Sequence, residues 1–162
     1  KIYSNITVDF LYIVNRRMEQ TVIIFKPDVF VIEKRDEYSQ LKKELPVAEV
    51  FIEYVQWKIN NLNLSVISER TEQLSREIVA EHYKEHKDNT AKFNSILGNM
   101  TFWPSYLMLV EWENAQELGR NMTLEIREEF LATPKVARRN MIHASANLEE
   151  SQDEVNLHFA NK

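Results

Sequence analysis

A chain of 162 residues that holds only two glycines, Gly98 and Gly119, has almost no position where the backbone can take a positive φ without steric cost. Neither a Walker A loop nor the glycine fingerprint of a dinucleotide-binding turn can be written with two isolated glycines. Any phosphate this protein handles must therefore be held by side chains. The cations near the ends of the regular segments are Lys26, Arg120, Arg127, Arg138 and Arg139.

Hydrophobic periodicity lays out the frame. "TVIIF" (21–25) is a β-rich apolar run, the pattern of a buried central strand, and it ends at Lys26, Pro27 and Asp28, where proline stops the ladder. Residues 33–45 are a mixed-charge, helix-compatible excursion closed by Pro46. From Val47 to Ile59 the apolar positions Val47, Val50, Phe51, Tyr54, Val55 and Ile59 recur at helical spacing, and Asn60 and Asn61 tolerate a left-handed cap. "LNLSVIS" (62–68) alternates as a strand, with Leu62, Leu64 and Val66 on one face. Residues 75–86 read as a helix with Ser75 at its N-cap, and 105–112 as a third strand. Nothing regular is assigned between 87 and 104. Asn114 caps a short helix through Arg120. Asn147 and Glu150 form a capping box for a helix to about Glu154, and "VNLHF" (155–159) reads as the last strand.

With the excursions set aside, the order is β-α-β-β-α-β. That is the split βαβ or ferredoxin-like pattern, an α+β fold with an antiparallel sheet and helices packed on one face. The domain is expected over 18–162, with the inserted charged segment at 33–45. Residues 1–17 read as an upstream extension or processed remnant ahead of a start at Met18.

Composition removes several classes of function. A net charge of −5 opposes a general electrostatic grip on phosphate backbones, so no nucleic-acid partner is expected. The absence of cysteine excludes disulfides, thiolate catalysis and Cys-ligated zinc, and fits the reducing, cytoplasmic compartment expected here. The run "FLYIV" (10–14) is far shorter than the roughly 18 residues of a membrane span, so no membrane partner is expected either.

Chemistry then rests on the histidines. An imidazole can attack phosphorus directly if one ring nitrogen is free, the other is held, and positive charge surrounds the phosphoryl oxygens. His143 has Ser145 two residues on, Glu154 on the following helix and arginines just upstream. The residues alone also allow a hydrogen-bonded core histidine at a strand end. His82 and His86, at i and i+4 in "HYKEH", could ligate a metal, but a third ligand is not evident and ordinary helix surface is the preferred reading. His158 reads as packing. Lys26 could hold a phosphate as a point charge or be a solvated lysine at a strand end.

Taken in order, "TVIIFKPD", "EHYKEH", "SYLMLVEWENA", "IREEF" and "RNMIHASANLEESQDEVNLHF" resemble the nucleoside diphosphate kinases over about residues 19 to 160. The most specific element is Asn-x-x-His-x-Ser, here Asn140, His143 and Ser145, with Glu154 eleven residues after the histidine. The resemblance implies a ferredoxin-like fold and transfer of the γ-phosphate of a nucleoside triphosphate to a nucleoside diphosphate, by a ping-pong route through a phosphohistidine. Mg²⁺ is implied as cofactor, carried by the nucleotide phosphates with no metal ligand from the protein. His143 would be the nucleophile, with Glu154 and Ser145 orienting it. Lys26 and Tyr83 would line the phosphate site, Arg120 and Arg127 would neutralise phosphoryl oxygens, and Asn140 would reach the ribose and phosphate. Phe93 and Leu97 would meet the base. Nucleoside tri- and diphosphates are the implied partners, and a homo-oligomer the implied assembly.

The chain also departs from the family pattern. Only "NMTLEI" separates Arg120 from Arg127, where most members carry a long loop that encloses the nucleotide and packs between subunits. Val29 and Trp103 stand where the family has turn glycines, and Ala146 stands for an aspartate after His-x-Ser. Without glycine those turns must adopt another conformation or carry strain. These departures motivate the alternative function, a catalytically impaired interaction module that keeps the kinase fold.

Overall fold

The computed structural model describes residues 18–30, 46–131 and 141–160. The extension 1–17, the segment 33–45, Arg138, Arg139 and Asn140 lie outside the described residues. Strand β1 (Met18–Phe25) is buried from Thr21 onward on both faces, as its continuous apolar run requires of a central strand. It pairs antiparallel with β3 (Ser105–Glu113) on one side and with the short β4 (Ile142–Ala144) on the other. β2 (Ser65–Glu72) pairs antiparallel with β3, giving the order β2-β3-β1-β4. This is the ferredoxin-like α+β topology.

The crossover helices α1 (Ala48–Asn61) and α4 (Ala115–Phe130) share one face of the sheet. Phe51, Val55 and Ile59 of α1 meet Met122, Ile126 and Phe130 of α4 over Ile23, Phe25, Met108 and Val110. The alternate residues Val22, Ile24, Leu107 and Leu109 face the other way. There, α2 (Arg76–His82), α3 (Thr90–Phe102) and α5 (Leu148–Phe159) cover the second face, in addition to the two helices of the basic frame. No helix among the described residues is long and apolar enough to cross a membrane.

Several local expectations are corrected. β2 begins at Ser65: Leu62 and Leu64 precede it, and Val66 is exposed. The expected helix 75–86 is α-helical only to His82, followed by a 3₁₀ turn at Lys84–His86, with Ser75 Oγ accepting from the Ile78 N–H at its start. α3 is an element the periodicity did not announce. The short helix from Asn114 continues through Phe130. Residues 155–159 are helix and not strand; the fourth strand is Ile142–Ala144, with His143 at its centre.

The backbone manages without glycine at its turns. Among the described residues only Asn63 (φ 58°) and Asn114 (φ 57°) take positive φ, and asparagine is the side chain that best tolerates it. The left-handed residue after α1 is thus Asn63, neither Asn60 nor Asn61. Val29 lies buried in a 3₁₀ turn and Trp103 is extended, so the lost family glycines leave no strain there. Gly119 serves close approach instead: a Cβ on it would lie 3.2 Å from Cγ2 of Thr21, where α4 crosses β1.

Candidate active site

His143 is placed by the strand it belongs to. It pairs with Ile24, and strand alternation puts its ring on the face covered by α2 and α5, while Ile142 enters the opposite core. The Lys26 N–H donates to the Met141 carbonyl (2.9 Å), extending the β1–β4 ladder one step and bringing Lys26 beside the histidine strand. On the other side, α5 is indexed by its cap. Asn147 Oδ1 accepts from the Glu150 N–H (2.9 Å), and the Glu150 carboxylate accepts from the Ala146 N–H (3.0 Å). With the start fixed, helical spacing turns Ser151, Glu154, Val155 and His158 inward. Ser151 Oγ donates to the Gln20 carbonyl (2.7 Å), tying α5 to β1.

These constraints bring three of the expected residues into one bonded unit. His143 Nε2 donates to Glu154 Oε1 (2.9 Å), and Ser145 Oγ donates to Glu154 Oε2 (2.7 Å). Burial, then the charges of Lys26, Arg127 and Arg120, holds the His143 pKa well below the ordinary histidine range. Burial raises that of Glu154, opposed by the Ser145 hydrogen bond and nearby positive charge. A neutral imidazole whose Nε2–H is given to a carboxylate keeps its lone pair on Nδ1. That is the arrangement of a poised nitrogen nucleophile.

The cations are at the same place, though not all are idle. Lys26 is 7% exposed, with Nζ 5.4 Å from the Tyr83 ring centroid. Burial and Arg127 push its pKa down to about 7, against the pull of Asp28 and Glu154. Arg120 Nη1 donates to the Ala144 carbonyl (3.3 Å). Arg127 donates from Nε (3.0 Å) and Nη2 (2.6 Å) to the Ile142 carbonyl, and burial followed by Arg120 lowers its pKa to about 10. The two arginines thus brace β4 on either side of His143 while carrying charge toward it. Tyr83 follows α2 directly; it is buried, its hydroxyl has no hydrogen-bond partner among the described residues, and burial raises its pKa.

The chain matches the family model for nucleoside diphosphate kinase over residues 19–162. The chain belongs to the nucleoside diphosphate kinase family. It is similar to a nucleoside diphosphate kinase of Listeria monocytogenes, 27% identical over 151 residues that cover 88% of this chain and 90% of the relative. Two solved structures share its fold. One is a nucleoside diphosphate kinase family protein from Babesia bovis, with a TM-score of 0.65 and 23% identity over 87% of this chain and 88% of that one. The other is a nucleoside diphosphate kinase from Encephalitozoon cuniculi, with a TM-score of 0.67 and 17% identity over 88% and 90%.

Within this kinase-family site, two base-contact expectations fare differently. Phe93 is half-buried on α3 at the edge of the second core, but Leu97 is 3% exposed inside that core and leaves no face for a base. Asn140 lies outside the described residues.

Other residues join the site without having been expected there. Gln116 Nε2 donates to the Ser145 carbonyl (2.9 Å), and Thr21 Oγ1 lies 3.5 Å from Ser145 Oγ. His82 is not helix surface: its side chain is 2% exposed and its ring centroid is 4.7 Å from that of His143. His158 belongs to α5, with Nε2 3.0 Å from His82 Nδ1. The one sequence signal for His82 was its neighbour Tyr83. The i, i+4 partner His86 misled, because the α-helix stops before reaching it.

Proposed function

We propose that this kinase-family protein transfers the γ-phosphate of a nucleoside triphosphate to a nucleoside diphosphate in two steps, through a phosphohistidine at His143. The observation that carries this reading is the clamp on the ring, with Nε2 held by Glu154 and Nδ1 left as the attacking nitrogen. In the first step the Nδ1 lone pair forms the N–P bond while the bond from the γ-phosphorus to the bridging oxygen breaks. The first diphosphate leaves with that electron pair. In the second step a terminal oxygen of the acceptor diphosphate attacks the phosphorus, the N–P bond breaks, and the neutral imidazole is restored. Glu154 offsets the positive charge of the phosphorylated ring and, with Ser145, keeps its orientation through both steps. Lys26, Arg120 and Arg127 spread the phosphoryl charge. Tyr83 and Phe93 border the nucleotide, and Asn140 is assigned to the ribose and phosphate by its motif position.

The donor set around His143 bears on the metal. Three cations and one buried carboxylate already bonded through both oxygens suit phosphate oxygens and offer little to a hard cation. Mg²⁺ favours oxygen ligands, keeps several waters and commonly rides on substrate phosphates. The fit is to Mg²⁺ carried by the nucleotide, where it screens phosphate charge, with none of these side chains holding it. The exposed Val66 and Ile67 on the outer strand β2, with Trp57 on α1, support a homo-oligomer, which sedimentation of the full chain would size.

The direct test is exchange between ATP and GDP with Mg²⁺ present, together with ³²P labelling of the protein by γ-labelled ATP. Turnover and an acid-labile label are expected. An unlabelled, inert protein would overturn the reading and leave the interaction-module alternative.

Two further outcomes follow from the geometry. Replacing Glu154 with Gln removes the charge that supports the ring but keeps its size. kcat is expected to fall roughly 10- to 100-fold with KM for the nucleotide nearly unchanged, since the effect acts through His143 and not on substrate binding. Lys26 supplies the second. With its pKa near 7 in the free protein, most molecules carry a neutral lysine at about pH 8. A bound phosphate anion favours the charged form, so the pKa rises on binding and the complex takes up nearly one proton there. Affinity therefore weakens as pH rises above 7. Calorimetry of ADP binding in buffers of different ionisation heat should show this uptake in wild type and lose it in Lys26→Met.

A further inference from the structure

The catalytic ring of His143 lies against a second histidine that the proposed reaction does not use. One donor atom each of His82, His143 and Glu154 lie within 4.8 Å of one another. His82 Nε2 is buried and makes no hydrogen bond, and it points at Glu154 Oε1 from 3.8 Å, too far for one. Its other nitrogen, Nδ1, stands 3.0 Å from His158 Nε2. In the tautomer whose Nδ1 proton is shared toward His158, the Nε2 lone pair faces a carboxylate oxygen, a place that a cation fills well.

We propose that His82 Nε2, His143 Nε2 and Glu154 Oε1 form a zinc site that switches the kinase off. Two imidazoles and one carboxylate, with a fourth position open to water, are the donor set of Zn²⁺ and a poor one for Mg²⁺ or Ca²⁺. Zn–N and Zn–O bonds of about 2.0–2.1 Å in a tetrahedral site put donors about 3.4 Å apart. Two of the three present separations, 2.9 Å for His143–Glu154 and 3.8 Å for His82–Glu154, bracket that value, and the third pair lies within 4.8 Å, so the rings close slightly on the metal. The supporting groups are in place: His158 on the far nitrogen of His82, and Ser145 Oγ on the second oxygen of Glu154 at 2.7 Å.

An entry path exists as well. A pocket of about 390 Å³ between α2 and α5 reaches all three residues, and its walls carry Glu81, Glu85, Glu150 and Asp153. The one lysine in its lining, Lys84, is engaged by Glu81 (3.0 Å) and Asp153 (3.4 Å). Such walls draw in cations.

The inhibitory consequence rests on the phosphohistidine reading. A metal on His143 Nε2 uses that lone pair, so the ring proton must sit on Nδ1, and the nitrogen that would attack phosphorus has no lone pair to offer. Three readouts separate the claims. In calorimetry with ZnCl₂ and no nucleotide, wild type should bind one zinc. His82→Gln should bind at least about tenfold more weakly, and His86→Gln as wild type. In ring-nitrogen NMR of wild type, which needs no variant to fold, ZnCl₂ should shift His82 and His143 while leaving His86 in place. Buffered zinc should also inhibit ATP–GDP exchange in wild type, with the inhibition curve moved at least tenfold in His82→Gln. Zinc affinity indifferent to His82→Gln, or unmoved His82 and His143 resonances, would overturn the site. Zinc bound at these rings with exchange unaffected would overturn the switch. A protein that binds zinc in this way yet never exchanges phosphate would support the site and sink the kinase reading separately.

Discussion

His143→Ala is expected to lower ATP–GDP exchange by on the order of 10⁴-fold or more, and to abolish the acid-labile label outright. The size follows from the absence of a substitute. Of the side chains around it, Ser145 gives its proton to Glu154, Tyr83 is buried with its pKa raised, and Lys26 is buried with its Nζ 5.4 Å from the Tyr83 ring centroid, where a bound phosphate would draw it to the charged form. His82 is nearest in kind, but with a side chain 2% exposed it cannot reach a phosphorus in the open site. A loss of 10⁴ corresponds to about 5.5 kcal/mol of transition-state stabilisation, more than any supporting contact here could supply. The fold should survive, because the ring keeps a 15% exposed side chain at an edge strand and its backbone pairing with Ile24 is unaffected. Exchange within tenfold of wild type, in a variant with a wild-type circular dichroism spectrum, would remove His143 from the mechanism.

The grouping of His143, Ser145 and Glu154 was legible in sequence through the Asn-x-x-His-x-Ser resemblance, and its physical basis is one short, well-capped turn that joins strand and helix. Asn147 and Glu150 announce the helix start, and from that start the inward positions follow by spacing alone. β1 and α1 were legible for a similar reason, since an unbroken apolar run and a sustained 3.6-residue period each have one structural solution. The failures have physical causes. In Val155, Leu157 and Phe159 an alternating pattern coincides with the helical spacing of Ser151, Val155 and Phe159, and the cap upstream decides in favour of the helix. α3 escaped notice because only Leu97 and Met100 of its thirteen residues are fully buried. The placement of His82 depends on where α2 stops and on what α5 brings across from 76 residues later, neither of which local spacing encodes. The contribution of Arg127 was half legible. Its charge was expected at the phosphate, but two of its three guanidinium nitrogens are engaged by the Ile142 carbonyl, a backbone partner that no side-chain motif displays.

Phe51→Ala is expected to cost about 3–5 kcal/mol of folding stability while leaving the exchange rate of the folded fraction close to wild type. Phe51 is fully buried and joins three elements, meeting Phe25 of β1 edge-to-face at 6.0 Å and Phe130 of α4 at 5.6 Å. Its removal loses the transfer energy of the ring, leaves a cavity the surrounding aromatic side chains cannot collapse into, and forfeits two pair contacts of about 0.5–1.5 kcal/mol each. Against a typical total of about 5–15 kcal/mol this is a large fraction, and the midpoint of thermal unfolding should drop by about 10 °C. Phe51→Leu, which keeps most of the volume, should lose far less. The separation from activity follows from sheet geometry. Phe51 packs on the α1–α4 face, whereas the His143 ring and Glu154 stand on the α2–α5 face, with β1 fully formed between them. A denaturant series read by both tryptophan fluorescence and residual exchange should therefore shift in midpoint for both signals together. If exchange disappears in Phe51→Ala well before the fold does, the two faces are coupled through β1, where Lys26 directly follows Phe25, or through α4, where Arg127 precedes Phe130 by less than one turn.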